Sequence, residues 1–401
     1  MEALYLKGFV MCDTFYKEKI IYLLLGGLTN TMTKQVFSSF SLGSLQLKNR
    51  YIVAPMTRIS ADDDGTANET MAQYYERFAK GGFAMVISEG IYTDTLHSQG
   101  YLNQPGLATS EHVEAWKTVL RPVKENGAKM IAQLMHAGGQ NQGNSYTETT
   151  IAPSDIAPKG EQLGFYHGSG PFKTPKAMDE KDIQQVIRSF AASAHNAQQA
   201  GFDGVEIHGA NGYLLDEFLT EYLNKREDEF GPTIEKALTL FVKIIEAVRE
   251  ATSPDFTVGI RISQGKVSDQ LYKWPNGEKD AELIFSTLGN TDLDYIHVTD
   301  KDGTAPTFGE GTKSLAQAAK TYSKGKPIIA NGMLHDEEKA EKLIKDNHAD
   351  LISIGTGALA NPDLPLMIER GETLRPFQPQ EILMPIAHIK EVELNQHILT
   401  K

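Results

Sequence analysis

Eight short runs of apolar and β-branched residues recur from Tyr51 onward: "YIVAPM" (51–56), "AMVISEG" (84–90), "KMIAQLM" (129–135), "GVEIHG" (204–209), "TVGIRIS" (257–263), "YIHVTD" (295–300), "PIIANG" (327–332) and "LISIGTG" (351–357). Each has the length of a strand. Between most of them stand helix-period segments such as "EKDIQQVIRSFAASAHNAQQAG" and "IEKALTLFVKIIEAVRE". Strand followed by helix, many times over, demands parallel strands joined by crossover helices. Eight such units match the α/β fold of the closed (β/α)8 TIM barrel, because a doubly wound open sheet usually stops at fewer strands. The longest interval lies between the third and fourth strands. Its residues 141–178, rich in Gly, Pro, Ser and Thr, are predicted to form a lid over the strand ends. No internal repeat, low-complexity block or linker divides residues 36–401, which read as one barrel.

Residues 1–35 differ in style and read as an appended tail outside that fold. Their apolar run "IIYLLLGGL" (20–28) is too short for a bilayer span of roughly 20 residues, and no small-residue cleavage site follows it. An upstream-extended start, with Met32 opening the folded protein, is the simpler reading. The only cysteine, Cys12, lies in this tail, so the main body can carry neither an internal disulfide nor a thiolate-held zinc or iron–sulfur site, which fits a reducing cytoplasm. Acidic residues outnumber basic ones 52 to 39, and no basic run offsets the net charge of -13. Nucleic acid and anionic membrane surfaces are therefore poor partners.

Alternate residues of a barrel strand face the lumen and the helices. In "GVEIHG", Val205 and Ile207 share one face, Glu206 and His208 the other; in "TVGIRIS", Arg261 opposes Ile260 and Ile262; in "KMIAQLM", Gln133 is in phase with Ile131 and Met135. Covering helices require apolar contact, so the polar faces belong inside. Gln133, His208 and Arg261 are thus predicted to converge near the C-terminal strand ends, where this fold keeps its chemistry. A buried guanidinium needs a partner. The structural alternative is that Glu89, Glu206 and Arg261 pair with one another.

Two glycine sites, "NGMLHD" (331–336) and "GTGALANPD" (355–363), stand where the last two strands end and leave backbone N–H groups free for an anion. The loops after strands seven and eight are the usual phosphate cradle of a barrel. A phosphate-bearing ligand is therefore expected. At the end of the fourth strand, "HGANGYLLDEFL" (208–219) crowds an imidazole, an amide and a phenol into six positions. Each alone has an ordinary structural reading, as a satisfied histidine, a turn asparagine or a packing tyrosine.

Taken together, these residues resemble the Old Yellow Enzyme family, FMN-dependent ene-reductases built on this barrel. The resemblance runs through "FSLGSLQLKNRYIVAPMTR" (40–58), "SQGYLNQPGL" (98–107), "AQLMHAG" (132–138), "HGANGYLLDEFL" and "ALANPDLP" (358–365), covering about residues 36 to 375. It implies that Pro55, Met56 and Thr57 lie against the flavin with Gly90 nearby, that Gln133 binds the pyrimidine edge and Arg261 the N1/O2 side, and that the phosphate reaches the backbone of Gly332, Met333, Gly355 and Thr356. It further implies that His208 and Asn211 polarise the carbonyl of an activated alkene while Tyr213 supplies a proton. Three positions depart from the family pattern. Thr356 stands where an arginine commonly grips the phosphate, Gly139 replaces the arginine that commonly ends the "HAGR" stretch, and "EFGPTIEKAL" (229–238) replaces the usual loop.

The resemblance thus implies an NADPH- or NADH-dependent FMN oxidoreductase acting on enones, enals or nitroalkenes, and the chain is compatible with a homo-oligomer. A redox-free phosphate-binding lyase or isomerase is the main alternative. A flavin-binding protein without turnover and an iron–sulfur relative are further ones, the last opposed by the missing cysteines.

Overall fold

The strands close into a barrel in strict chain order: β1 (Tyr51–Val53), β2 (Met85–Tyr92), β3 (Lys129–Met135), β4 (Gly204–Asn211), β5 (Thr257–Lys266), β6 (Tyr295–Thr299), β7 (Ile328–Asn331) and β8 (Leu351–Ile354). All neighbours are parallel, and Ile352 of β8 registers with Tyr51 of β1 to complete the ring. A helix follows each strand: α1 (Glu69–Lys80), α2 (Ser110–Glu125), α3 (Glu180–Ala200), α4 (Ile234–Ala251), α5 (Glu278–Gly289), α6 (Leu315–Tyr322), α7 (Glu337–Lys345) and α8 (Leu364–Arg370). This computed structural model describes residues 34–400. Cys12, the apolar run at 20–28 and Met32 lie outside the described residues. Gln35 already belongs to the barrel, since its N–H and that of Val36 donate to the Glu341 carboxylate of α7.

Helix α3 shows how local chemistry sets an element. Asp179 and Asp182 form a reciprocal capping box at its start, Gly201 ends it in the left-handed conformation, and Ile183, Val186, Phe190, Ala194 and Ala197 make its buried stripe. A cap of this kind is worth about 1 kcal/mol. The apolar stripes of the helices pack on Val205, Ile207, Val258, Ile260 and Ile262, the outward faces of β4 and β5. The alternate residues of those strands are left to the lumen.

The barrel floor is a separate apolar layer. Ile52, Ile87, Ile131, Tyr295, Ile329 and Leu351 pack there against Leu42, Leu45 and Leu47 of an N-terminal hairpin. That plug closes the bottom, so the interior is open only at the C-terminal strand ends. Residues 141–178 contain a short parallel pair, Ile151–Ala152 with Lys176–Ala177, and a single turn at Gly164–Tyr166. Leu163, Phe165 and Tyr166 from this segment wall the opening.

Candidate active site

A cavity of about 450 Å³ occupies the C-terminal mouth, within the size range of small-molecule sites. Pro55, Met56 and Thr57 line it from the end of β1, Gly90 from β2, Gln133 from β3, His208, Asn211 and Tyr213 from β4 and the turn after it, and Arg261 from β5. Gly332, Met333, Gly355 and Thr356 line it from the turns after β7 and β8. The cavity thus gathers all thirteen residues that the sequence resemblance assigns to cofactor and substrate, while Glu89, Glu206 and Gly139 do not line it.

Register explains the polar floor of this cavity. Gln133 lies beside Glu206, His208 beside Arg261, and Arg261 beside His297. Glu206 is the hub: it accepts from Gln133 Nε2 at 2.8 Å, from the Tyr295 hydroxyl at 3.2 Å, and pairs with His297 Nδ1 at 2.9 Å. The second nitrogen of His297 meets the Ser353 hydroxyl at 2.7 Å. Burial opposes ionisation of Glu206, but His297, Arg261 and Gln133 outweigh it and hold its pKa below the usual value. Gly259 makes room for this layer, because a Cβ there would sit 2.1 Å from the Tyr295 ring.

The triangle of Glu89, Glu206 and Arg261 does not form. Glu89 instead accepts from the N–H groups of Arg58 and Ile59, at 2.9 and 3.1 Å, and from the Tyr75 hydroxyl. Arg261 donates through Nη2 to Asn331 at 3.2 Å, while its buried Nε has no protein partner. Burial draws the Arg261 pKa down to about 10, which leaves the guanidinium charged at neutral pH. A buried, charged, half-satisfied arginine facing a cavity calls for an acceptor supplied by a ligand. The pyrimidine edge of a flavin has the matching oxygen and nitrogen acceptors, so the residues present fit FMN.

His208 is buried, with Nδ1 unpartnered, and burial together with nearby Arg261 and His297 keeps its pKa well below the ordinary value. It is therefore a neutral imidazole. Asn211 and Gly212 both take the left-handed conformation, with φ of 62° and 84°, a turn that asparagine and glycine tolerate best. Asp216 anchors that turn by accepting from the Gly212 N–H at 2.6 Å, and the buried Lys266 pairs with the same carboxylate at 2.6 Å. The turn delivers Tyr213 beside His208, with ring centres 5.0 Å apart. The Tyr213 hydroxyl lies 2.5 Å from that of Tyr101, and burial raises its pKa above the ordinary value.

At the other end of the cavity, the backbone N–H groups of Gly332, Met333, Gly355 and Thr356 donate to no protein acceptor among the described residues. Gly332 has φ of 132°, and a Cβ on it would meet the Asp300 carbonyl at 2.4 Å. Open N–H groups on converging turns suit a phosphate. At Gly139 a Cβ would lie 2.7 Å from Glu217 Oε1 and 3.1 Å from Pro158, so a side chain there would have to displace the Glu217 carboxylate. The Gly139 N–H donates to Glu217 at 2.8 Å.

Sequence reasoning overlooked several groups at the site. Tyr101 sits within the quoted "SQGYLNQPGL" stretch but carried no periodicity that would aim it at Tyr213. Tyr166, whose hydroxyl donates to the Thr57 carbonyl at 3.3 Å, comes from an irregular segment. His297 and Ser353 were legible by alternation, being lumen-facing polar residues in apolar strands.

The sequence profile of the NADH:flavin oxidoreductase / NADH oxidase family matches residues 35–375. A flavin oxidoreductase of Emericella nidulans is 32% identical over 367 residues, covering 85% of this chain and 92% of the relative. A "probable flavin mononucleotide-dependent alkene reductase" of Leishmania infantum is 32% identical over 346 residues, covering 84% and 91%. Among solved structures, an old yellow enzyme homologue from Zymomonas mobilis superposes with a TM-score of 0.81 at 26% identity, covering 91% of this chain and all of that one. With the fold, the cavity and these likenesses in agreement, the chain belongs to the NADH:flavin oxidoreductase / NADH oxidase family of FMN-dependent enzymes.

Proposed function

We propose that the protein reduces activated carbon–carbon double bonds, in enones, enals or nitroalkenes, at the expense of NADPH or NADH. The observation that carries this reading is the convergence, in one closed-bottomed cavity, of a half-satisfied Arg261, the Gln133 amide and the His208, Asn211 and Tyr213 cluster. When bound, FMN supplies the two-electron store that accepts hydride from the nicotinamide and passes it to the alkene.

In this reading Arg261 holds positive charge against the N1/O2 side of the cofactor, and Gln133, braced by Glu206, fixes its pyrimidine edge. Pro55, Met56, Thr57 and Gly90 shape the surface it lies on. His208, kept neutral, and Asn211, whose side-chain amide has no protein hydrogen bond among the described residues while its backbone N–H donates to Ser263, donate to the substrate's carbonyl or nitro oxygen as negative charge develops there. Tyr213 delivers the proton to the α-carbon. Its raised pKa keeps the phenol protonated at neutral pH, and when Tyr101 is the donor in their 2.5 Å hydrogen bond the Tyr213 proton is free to face the cavity. With a single cavity over the cofactor position, nicotinamide and alkene would occupy the same space in turn, a ping-pong scheme.

Anaerobic stopped-flow kinetics tests the reading in its two halves. Flavin absorbance near 450 nm is expected to bleach with NADPH or NADH and to return on adding cyclohexenone. Bleaching without recovery across a panel of activated alkenes defeats the assignment of substrate class.

A further inference from the structure

The far end of the cavity poses a charge problem. Thr356 brings no cation to the turn after β8; Arg58, on the cavity wall, is paired with Glu393, and Lys339 of α7 with Asp302 at 2.6 Å. Arg261 already donates to Asn331, and in the reading above its free Nε is directed to the pyrimidine edge of the cofactor. Two basic side chains remain on the wall beside Gly332, Met333 and Thr356. They are Lys301, from the turn after β6, and His335, from the turn after β7. Lys301 forms no ion pair among the described residues. Asp300, which also lines the cavity, spends its carboxylate on the Lys301 N–H, the Thr307 hydroxyl and Lys273.

His335 is placed there by a specific accommodation. It stands over Gly357, where a Cβ would come within 2.5 Å of the His335 Cβ and 3.0 Å of its Cγ. Any larger residue after Thr356 would drive the imidazole out of this position. The pairing of a small residue at 357 with an imidazole at 335 therefore reads as one unit.

Resting on the FMN reading above, we propose that His335 and Lys301 supply the side-chain half of the phosphate cradle, adding an N–H donor and a positive charge to the open backbone N–H groups of Gly332, Met333, Gly355 and Thr356. The side-chain share of phosphate retention then comes from the loops after β6 and β7, and those two residues strengthen the preference for FMN over riboflavin.

Stripped protein titrated with FMN and with riboflavin, followed by quenching of flavin fluorescence, tests this without turnover. His335→Ala and Lys301→Ala together are expected to weaken FMN at least about tenfold, with riboflavin changed less than about twofold, whereas His335→Gln, which keeps an N–H donor, retains most of the affinity. Lys301 is exposed, so Lys301→Ala is expected to fold even where a His335 variant does not, and alone it should shift the FMN-to-riboflavin ratio by about threefold or more. Equal loss of both flavins, or an unchanged ratio in every variant, overturns the proposal. Wild-type protein that quenches neither flavin overturns the flavin reading itself.

Discussion

The guanidinium of Arg58 and the carboxylate of Glu393, 335 positions apart in the chain, meet in a two-bond pair, Nη1 to Oε1 at 2.7 Å and Nη2 to Oε2 at 2.6 Å. Both side chains are buried. Arg58 directly follows Thr57 on the cavity wall, and its remaining donors reach the Ala387 and His388 carbonyls. The Ala387 N–H donates to the Phe165 carbonyl at 2.9 Å, so one C-terminal segment is tied both to the β1 end and to the outer wall of the cavity. This segment lies past residue 375, where the family match ends.

Glu393→Ala leaves that guanidinium buried without its counter-charge, which costs about 3–5 kcal/mol. Urea denaturation should show a loss of this size. Arg58→Met combined with Glu393→Leu should recover most of it, since neither charge is then stranded. A double variant as unstable as the single one would mean that packing, not charge, dominates there.

Tyr213→Phe removes the proposed proton donor and keeps the ring. Alkene-driven reoxidation is expected to slow by about 100-fold or more, the usual scale of general acid catalysis, while bleaching by nicotinamide stays within about twofold. Equal slowing of both half-reactions would remove Tyr213 from that role.

Tyr101→Phe takes away the hydroxyl that braces Tyr213 at 2.5 Å. Loss of one such hydrogen bond, about 1 kcal/mol, predicts a roughly fivefold slower alkene step. The double variant with Tyr213→Phe should be no slower than Tyr213→Phe alone, because Tyr101 acts through Tyr213. Additive losses in the same stopped-flow assay would show an independent function.

Burial lifts the Glu89 carboxyl from 4.5 to about 7, against the pull of the Arg58 and Ile59 N–H groups. Between those values the folded protein holds a proton that the unfolded chain has released. The stability from this group is therefore fully present below pH 4.5 and is lost as pH rises through about 7, an effect on the order of 3 kcal/mol. Glu89→Gln abolishes that slope. Chemical denaturation of wild type and variant across this range should show the difference between them shifting in the variant's favour as pH increases, and a constant difference would refute a raised Glu89 pKa.

What was legible in the sequence is what nearest neighbours along the chain enforce. Strand and helix periods gave eight alternating units, and a parallel strand must place Val205 and Ile207 on one side and Glu206 and His208 on the other, whatever surrounds it. The left-handed turn at Asn211–Gly212 and the open turns at Gly332 and Gly355 were likewise written in residue type.

Tertiary structure decided which of the inward groups are partners. Glu206 bonds Gln133, His297 and Tyr295 rather than forming a triangle with Glu89, because the strand register sets these residues side by side. Tyr101 reaches Tyr213 across 112 positions, and Glu393 reaches Arg58 across 335. Alternation fixes only the side of a strand on which a residue lies. The distance between two residues on different segments is a property of the closed ring and of where its loops and C-terminal segment return, and no local pattern encodes it.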